Sequence, residues 1–174
     1  FHINAMALIY KNLAKAVNLK DNYAIEQVGY GQYIAGMGFS NVGLGIAHSM
    51  AHSLGAFFDT PHGVANALLL PHVLRFNGKV CPDLFVNMGN ALGLDMIGLS
   101  GMDAVDKVVD AVKELSISVG IPQTLQEIGI PESALEKLAH QAIGDVCTSG
   151  NPRKVTEKDI LQLYKDCLLY TSDA

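Results

Sequence analysis

Apolar residues recur at three- and four-residue steps along most of the chain, and this spacing is the strongest constraint on its fold. A side chain at every third or fourth position lies on one face of a helix. No segment alternates convincingly as a strand would, and no internal repeat is present. The sequence therefore predicts an all-α domain of roughly seven to nine helices. The clearest apolar stripes are Ile3, Met6, Ala7, Tyr10, Leu13, Ala14 and Val17; Val105, Val108, Val109, Val112 and Leu115; Leu135, Leu138, Ala139 and Ala142; and Ile160, Leu163, Tyr164 and Cys167.

Three helix starts can be predicted from residues that cap helices. Asp103 precedes one apolar stripe and is a predicted N-cap. Thr156 and Asp159 resemble a shortened capping box at the start of the last helix. Thr60 and Pro61 predict an N-cap followed by a proline at the first helical position, so the next residue falls in the first turn of a helix.

The composition excludes several classes of protein. Apolar residues make up 49% of the 174 positions and charged ones 17%, which argues against disorder. The net charge of −5 and the scattered lysines and arginines argue against a nucleic-acid-binding protein. No uninterrupted apolar run reaches about 18 residues, so no membrane-spanning helix is expected. Cys81, Cys147 and Cys167 form no CxxC pair, which suits a reducing compartment, and we expect a cytoplasmic protein.

Three histidines, His48, His52 and His62, lie in a stretch almost free of charge. Between Glu26 and Arg75 the only formally charged residue is Asp59. Neutral imidazole is a common ligand of transition metals, and polar groups amid apolar neighbours are costly to bury without a partner. His48 and His52 are four residues apart and share one helix face. Because His62 begins the next helix, two or three imidazoles can converge, and the sequence predicts a metal-centred site.

The spacing of the histidines leaves the chemistry open. A three-histidine zinc hydrolase would fit the spacing, but no carboxylate stands out as its general base, since Asp59 is the only acid nearby and lies in the turn. A hydride-transfer site needs no such base. A third interpretation is an autonomous helical binding domain whose histidines are packed and hydrogen-bonded.

Small residues at 31, 35 and 38 fall on one helix face. They do not form a nucleotide-binding glycine loop, because the required spacing and the preceding strand are missing. Small residues at these positions instead let two backbones approach closely, either between helices or beside a ligand.

The chain resembles the iron-dependent (group III) alcohol dehydrogenases in three segments. These are GQYIAGMGFSN from Gly31 to Asn41, GLGIAHSMAHSLGAFFDTPHGVANALLLPH from Gly43 to His72, and DVCTSGNPR from Asp145 to Arg153. The resemblance covers nearly the whole chain and implies the all-α C-terminal domain of the dehydroquinate synthase-like/iron alcohol dehydrogenase fold. We expect positions 1–174 to be that catalytic domain alone, a fragment lacking the N-terminal α/β nucleotide-binding domain. The last seven residues, 168–174, do not resemble the usual family ending.

The resemblance also implies roles for individual residues. In this family an aspartate and three histidines hold the metal, and the last two histidines map onto His48 and His62. The other two ligands would lie upstream of this chain. By resemblance, His52 is a non-ligating candidate catalytic residue for proton relay near the nicotinamide and the substrate. Phe39 matches an aromatic residue beside the nicotinamide, and Cys147 matches a wall of the substrate pocket.

The activity implied by the resemblance is reversible hydride transfer between NAD(H) and a small alcohol or aldehyde, with lactaldehyde and 1,2-propanediol as the expected pair. The implied metal is Fe²⁺, and Zn²⁺ would also suit the ligands. A homodimer is expected for the complete protein. Since half of the ligands would lie outside the chain, we expect the fragment alone to be inactive.

Overall fold

The computed structural model describes residues 1–169, and this part of the chain contains α-helices and no strand. The all-α prediction is confirmed. None of these helices is both long and apolar enough to cross a membrane. The end of the unusual tail, residues 170–174, lies outside the described residues. The α-helices are α1 (His2–Asn18), α2 (Asn22–Val42), α3 (Ile46–Phe58), α4 (His62–Gly78), α5 (Pro82–Leu92), α6 (Gly101–Ser118), α7 (Leu135–Ile143) and α8 (Glu157–Asp166), with short 3-10 segments at Gln126–Ile128, Glu132–Ala134 and Val146–Gly150.

One of the three predicted helix starts is confirmed, and the other two differ from the structure by one to three residues. At α8 the capping box of Thr156 and Asp159 is present in both directions, as predicted. The prediction for Asp103 is wrong, because α6 begins after Ser100 and Asp103 lies in its first turn. An acidic side chain is favourable in that turn as well as at the N-cap, so the sequence does not distinguish the two positions. α4 begins at His62, one residue later than predicted.

The chain divides into two compact units, of which the first comprises Phe1–Gly43 and Gly78–Gly120. In this unit α1 packs against α2 and also contacts α5 and α6. A Cβ added to Gly31 of α2 would lie 2.7 Å from Cγ1 of Ile9 on α1, and one added to Gly38 would meet the ring of His2. The helix-packing interpretation of these glycines therefore fits the structure.

The second unit comprises Leu44–Asn77 and Ile121–Ala174, and α3 lies in its core. Ile46, Met50 and Leu54 recur every four residues on α3 and are fully buried. His48 and His52 are two residues out of step with this stripe, so they lie on the opposite side of the helix. The apolar stripe belongs to one buried cluster with residues of α4, α7 and α8, and its burial sets the direction in which the two histidines point.

Candidate active site

The turn between α3 and α4 brings the three histidines together. α3 ends at Phe58, the next residue Asp59 adopts a left-handed conformation with φ of 51°, and α4 begins at His62. The ring centroid of His62 lies 5.4 Å from that of His48 and 5.4 Å from that of His52. The centroids of His48 and His52 are 6.2 Å apart. The three rings therefore lie close together, as the spacing predicted.

His48 is partly buried, and its surroundings favour the neutral imidazole. Burial lowers the pKa of His48 below its usual value, and the neighbouring His62 and His52 lower it further, while Asp145 acts in the opposite direction. A neutral imidazole keeps a free lone pair, which is the form that binds a metal ion.

His62 is held by a side chain from its own helix. Nδ2 of Asn66 lies 3.1 Å from Nε2 of His62 and donates a hydrogen bond of 3.0 Å to its carbonyl oxygen. Oδ1 of Asn66 is buried and has no hydrogen-bond partner in the part of the chain that the structure describes. Asn66 is not among the residues predicted from the sequence, although its four-residue spacing from His62 is the signal that would have found it.

His52 forms a close pair with Asp145, a residue far along the chain. Its Nδ1 lies 2.9 Å from Oδ2 of the carboxylate. The other oxygen, Oδ1, accepts a hydrogen bond of 2.8 Å from the backbone N–H of Cys147. Burial by itself would raise the pKa of Asp145, but the hydrogen bonds from Cys147 and His52 hold that pKa below its ordinary value. Asp145 is therefore ionised at neutral pH.

Cys147 lies beside this pair in the short 3-10 segment Val146–Gly150. Burial raises the pKa of its thiol, and the hydrogen bond and charge of Asp145 raise it further. At neutral pH the thiol is thus protonated, which suits a pocket wall better than a nucleophile.

Four of the five predicted site residues lie in the same unit of the structure. His48, His52, His62 and Cys147 all belong to the second unit, whereas Phe39 lies on α2 in the first unit with 44% of its surface exposed. Among the described residues, the group of three whose possible ligand atoms all lie within 4.8 Å of one another is His52, Asp145 and Cys147. The three histidines do not form that group. This arrangement does not favour the three-histidine zinc hydrolase.

Comparison with known proteins identifies close relatives. The model of the C-terminal part of the Fe-containing alcohol dehydrogenase family matches residues 1–168. The chain is 47% identical over 163 residues to lactaldehyde reductase of Escherichia coli (strain K12), covering 94% of this chain and 42% of that enzyme. It is 43% identical over 164 residues to 1,3-propanediol dehydrogenase of Citrobacter freundii, again covering 94% of this chain and 42% of that enzyme.

A solved structure shows the same fold. The crystal structure of 1,3-propanediol oxidoreductase superimposes with a TM-score of 0.93 at 41% identity, over 95% of this chain and 44% of that one. The chain therefore spans about two-fifths of the length of the relatives that it matches.

Proposed function

Because this chain belongs to the iron-containing alcohol dehydrogenase family, we propose that it supplies the metal-binding part of an NAD(H)-linked oxidoreductase for small alcohols and aldehydes. The observation that carries the proposal is the approach of the His48 and His62 rings, 5.4 Å apart, in a chain that matches this family over residues 1–168. The resemblance assigns metal binding to the same two residues.

His48 and His62 fit a divalent transition metal as two of its ligands. Both offer imidazole nitrogen, the donor that suits Fe²⁺ and Zn²⁺, and the lowered pKa of His48 keeps that residue in the ligating form. The amide of Asn66 contacts Nε2 of His62 at 3.1 Å and so holds the orientation of that ring. A bound ion of this kind supplies Lewis-acid polarisation of the substrate oxygen.

The remaining candidate residues are proposed to act beside the metal ion. His52, with 42% of its side chain exposed, is the proposed proton relay. Cys147 is the proposed wall of the substrate pocket, and its neutral thiol adds no charge there. Phe39 is the proposed contact of the nicotinamide of NAD, and 44% of this residue is exposed.

The proposed substrates are lactaldehyde and 1,2-propanediol. The support is similarity to the E. coli lactaldehyde reductase, and the 1,3-propanediol dehydrogenase of C. freundii points to alcohols of the same size. The proposal includes a nucleotide-binding domain, two further metal ligands and a homodimer in the complete protein, all taken from the family resemblance. A cytoplasmic location is proposed because Cys81, Cys147 and Cys167 form no CxxC pair in the sequence.

The first test is the affinity of the 174-residue chain for Fe²⁺ and Zn²⁺, measured by anaerobic calorimetry at neutral pH. Weak or absent binding is expected, since His48 and His62 would be two ligands out of four. Tight one-to-one binding would contradict the proposal and return the self-contained zinc hydrolase to consideration.

The second test restores the rest of the enzyme. A chimera joins the N-terminal part of the E. coli lactaldehyde reductase to this chain, and we expect metal-dependent oxidation of NADH by lactaldehyde. His48→Ala should abolish metal retention and turnover, whereas His52→Ala should keep the metal and slow turnover. His140→Ala is the control, because His140 pairs with Glu157 on the surface and should change neither. A folded, metal-loaded chimera without turnover would refute the proposed activity.

A further inference from the structure

The carboxylate of Asp145 joins the ring of His52 to a backbone N–H. Oδ2 lies 2.9 Å from Nδ1 of His52, and Oδ1 accepts the N–H of Cys147 at 2.8 Å. The two oxygens of one rigid group therefore have different partners. Only 20% of the Asp145 side chain is exposed, so few water molecules compete for these bonds.

The backbone around Asp145 is also anchored to the helix that carries His52. Thr148, at the third position after Asp145, places its hydroxyl 2.8 Å from Oγ of Ser49 and 2.9 Å from the carbonyl oxygen of Ala142. Ser49 is fully buried on α3, one turn before His52. The carboxylate and the imidazole are consequently held at a fixed separation by contacts outside the pair itself.

This geometry decides which ring nitrogen of His52 carries the proton. An ionised carboxylate only accepts hydrogen bonds, so a nitrogen that contacts it must be the donor. A neutral imidazole has one donor and one acceptor nitrogen, and the bond made by the first determines the second. We propose that Asp145 is a positioning residue that holds neutral His52 in its Nδ1–H form and leaves Nε2 as the proton acceptor.

The consequence for catalysis rests on the proposed function. When an alcohol is oxidised, its C–H bond gives a hydride to NAD⁺ and its O–H bond gives a proton. His52 would take that proton at Nε2 and become positively charged, and the carboxylate of Asp145 would balance that charge. Reduction of the aldehyde runs the same transfers backwards, with the proton returned from Nε2.

Replacement of Asp145 by asparagine gives a sharp test, because the two side chains have the same shape. The backbone N–H of Cys147 still needs an acceptor, so the amide oxygen should take the Oδ1 position and the amide nitrogen should face His52. An NH₂ group donates, and Nδ1 must then accept. Asp145→Asn should therefore invert the tautomer of His52 from Nδ1–H to Nε2–H.

The measurement is the ¹⁵N chemical shift of the histidine ring nitrogens in the labelled 174-residue chain, at a pH above the ordinary imidazole pKa of about 6.5. The wild-type chain should show His52 protonated at Nδ1, and Asp145→Asn should show it protonated at Nε2. Glu157→Gln, the same acid-to-amide change beside His140, is the matched control and should leave His52 unchanged. An Nε2–H form of His52 in the wild-type chain would overturn the inference, whether or not the variant folds.

A second readout follows the proton relay in the chimera described above. Asp145→Asn should keep the metal and the KM for lactaldehyde while kcat falls by about 10²-fold or more, the usual contribution of general acid–base catalysis. An unchanged kcat would remove the relay role of the pair. The ¹⁵N measurement needs neither metal nor cofactor, so failure of the proposed dehydrogenase activity would leave the positioning of His52 by Asp145 separately testable.

Discussion

Replacing Gly29 and Gly31 by alanine, one at a time, should change the stability of the first unit in opposite directions. Both residues lie inside α2, two positions apart, so the gain in helix propensity is the same, about 1 kcal/mol for each. Their surroundings differ. Nothing outside the local helix backbone lies within 4 Å of a Cβ added to Gly29, whereas at Gly31 that atom would lie 2.7 Å from Cγ1 of Ile9 and 3.3 Å from the carbonyl oxygen of Ala5.

The contact with the carbonyl oxygen of Ala5 determines whether Gly31→Ala stabilises or destabilises the first unit. The Ile9 side chain can rotate, but the backbone carbonyl of Ala5 can move only if α1 moves away from α2. Overpacking of this kind costs about 1–3 kcal/mol. After the gain in helix propensity, Gly31→Ala should be destabilising, by up to about 2 kcal/mol. Gly29→Ala should be stabilising by about 1 kcal/mol.

Urea unfolding followed by circular dichroism measures the difference between the two variants. Their midpoints should lie on opposite sides of the wild-type midpoint while the slopes stay equal, since the surface exposed on unfolding is unchanged. Amide hydrogen exchange in α1 gives a measurement confined to the first unit. Equal stabilisation by both alanines would show that α1 and α2 separate without cost, and it would refute the close-approach role of Gly31.

Two further predictions concern the second unit. The hydroxyl of Tyr164 donates to the carbonyl oxygen of Met50 at 2.8 Å in a fully buried site, so Tyr164→Phe should lower the free energy of unfolding by about 1–2 kcal/mol in urea; an unchanged midpoint would contradict a role for this bond. At the start of α8, hydrogen bonds from Thr156 lower the pKa of Asp159. A lowered pKa in the folded state means that the stabilisation is complete above the unfolded pKa of about 3.9 and is lost as the pH falls through the folded value. The stability difference between wild type and Asp159→Asn should therefore shrink as the pH falls below the unfolded pKa, and a difference that does not shrink in acid would refute the assignment.

The helices of the second unit could be predicted from the sequence because burial there follows apolar spacing, whereas in α1 the predicted stripe is only partly buried and Ile3 is 45% exposed. Leu135, Leu138, Ala139 and Ala142, proposed from their three- and four-residue steps, are all buried on α7. Ile160, Leu163 and Tyr164, the predicted stripe of α8, are also buried. The start of α6 was predicted wrongly at Asp103 because an acidic residue is favourable at several positions near a helix N-terminus, and spacing alone does not separate them.

The site could be predicted only where its residues are close in sequence. His48, His52 and His62 were found because a four-residue spacing and a helix start relate them locally. Asp145 stands 93 residues after His52, and it was noted only as the first residue of a family segment. Its role depends on how the segment Val146–Gly150 packs against α3, which no local pattern encodes.

The site also depends on the core through the rotation of a single helix. Ile46, Met50 and Leu54 bury one side of α3, and the opposite side carries His48 and His52. A helix is rigid across these two turns, so a change in packing that rotates the apolar stripe must rotate both imidazoles by the same angle. That rotation would move His48 relative to His62 and His52 relative to the carboxylate on the neighbouring segment. Changes in core residues of α3 should therefore weaken the proposed metal binding and the proposed proton transfer together, whereas loss of Asp145 should affect only the proposed proton transfer.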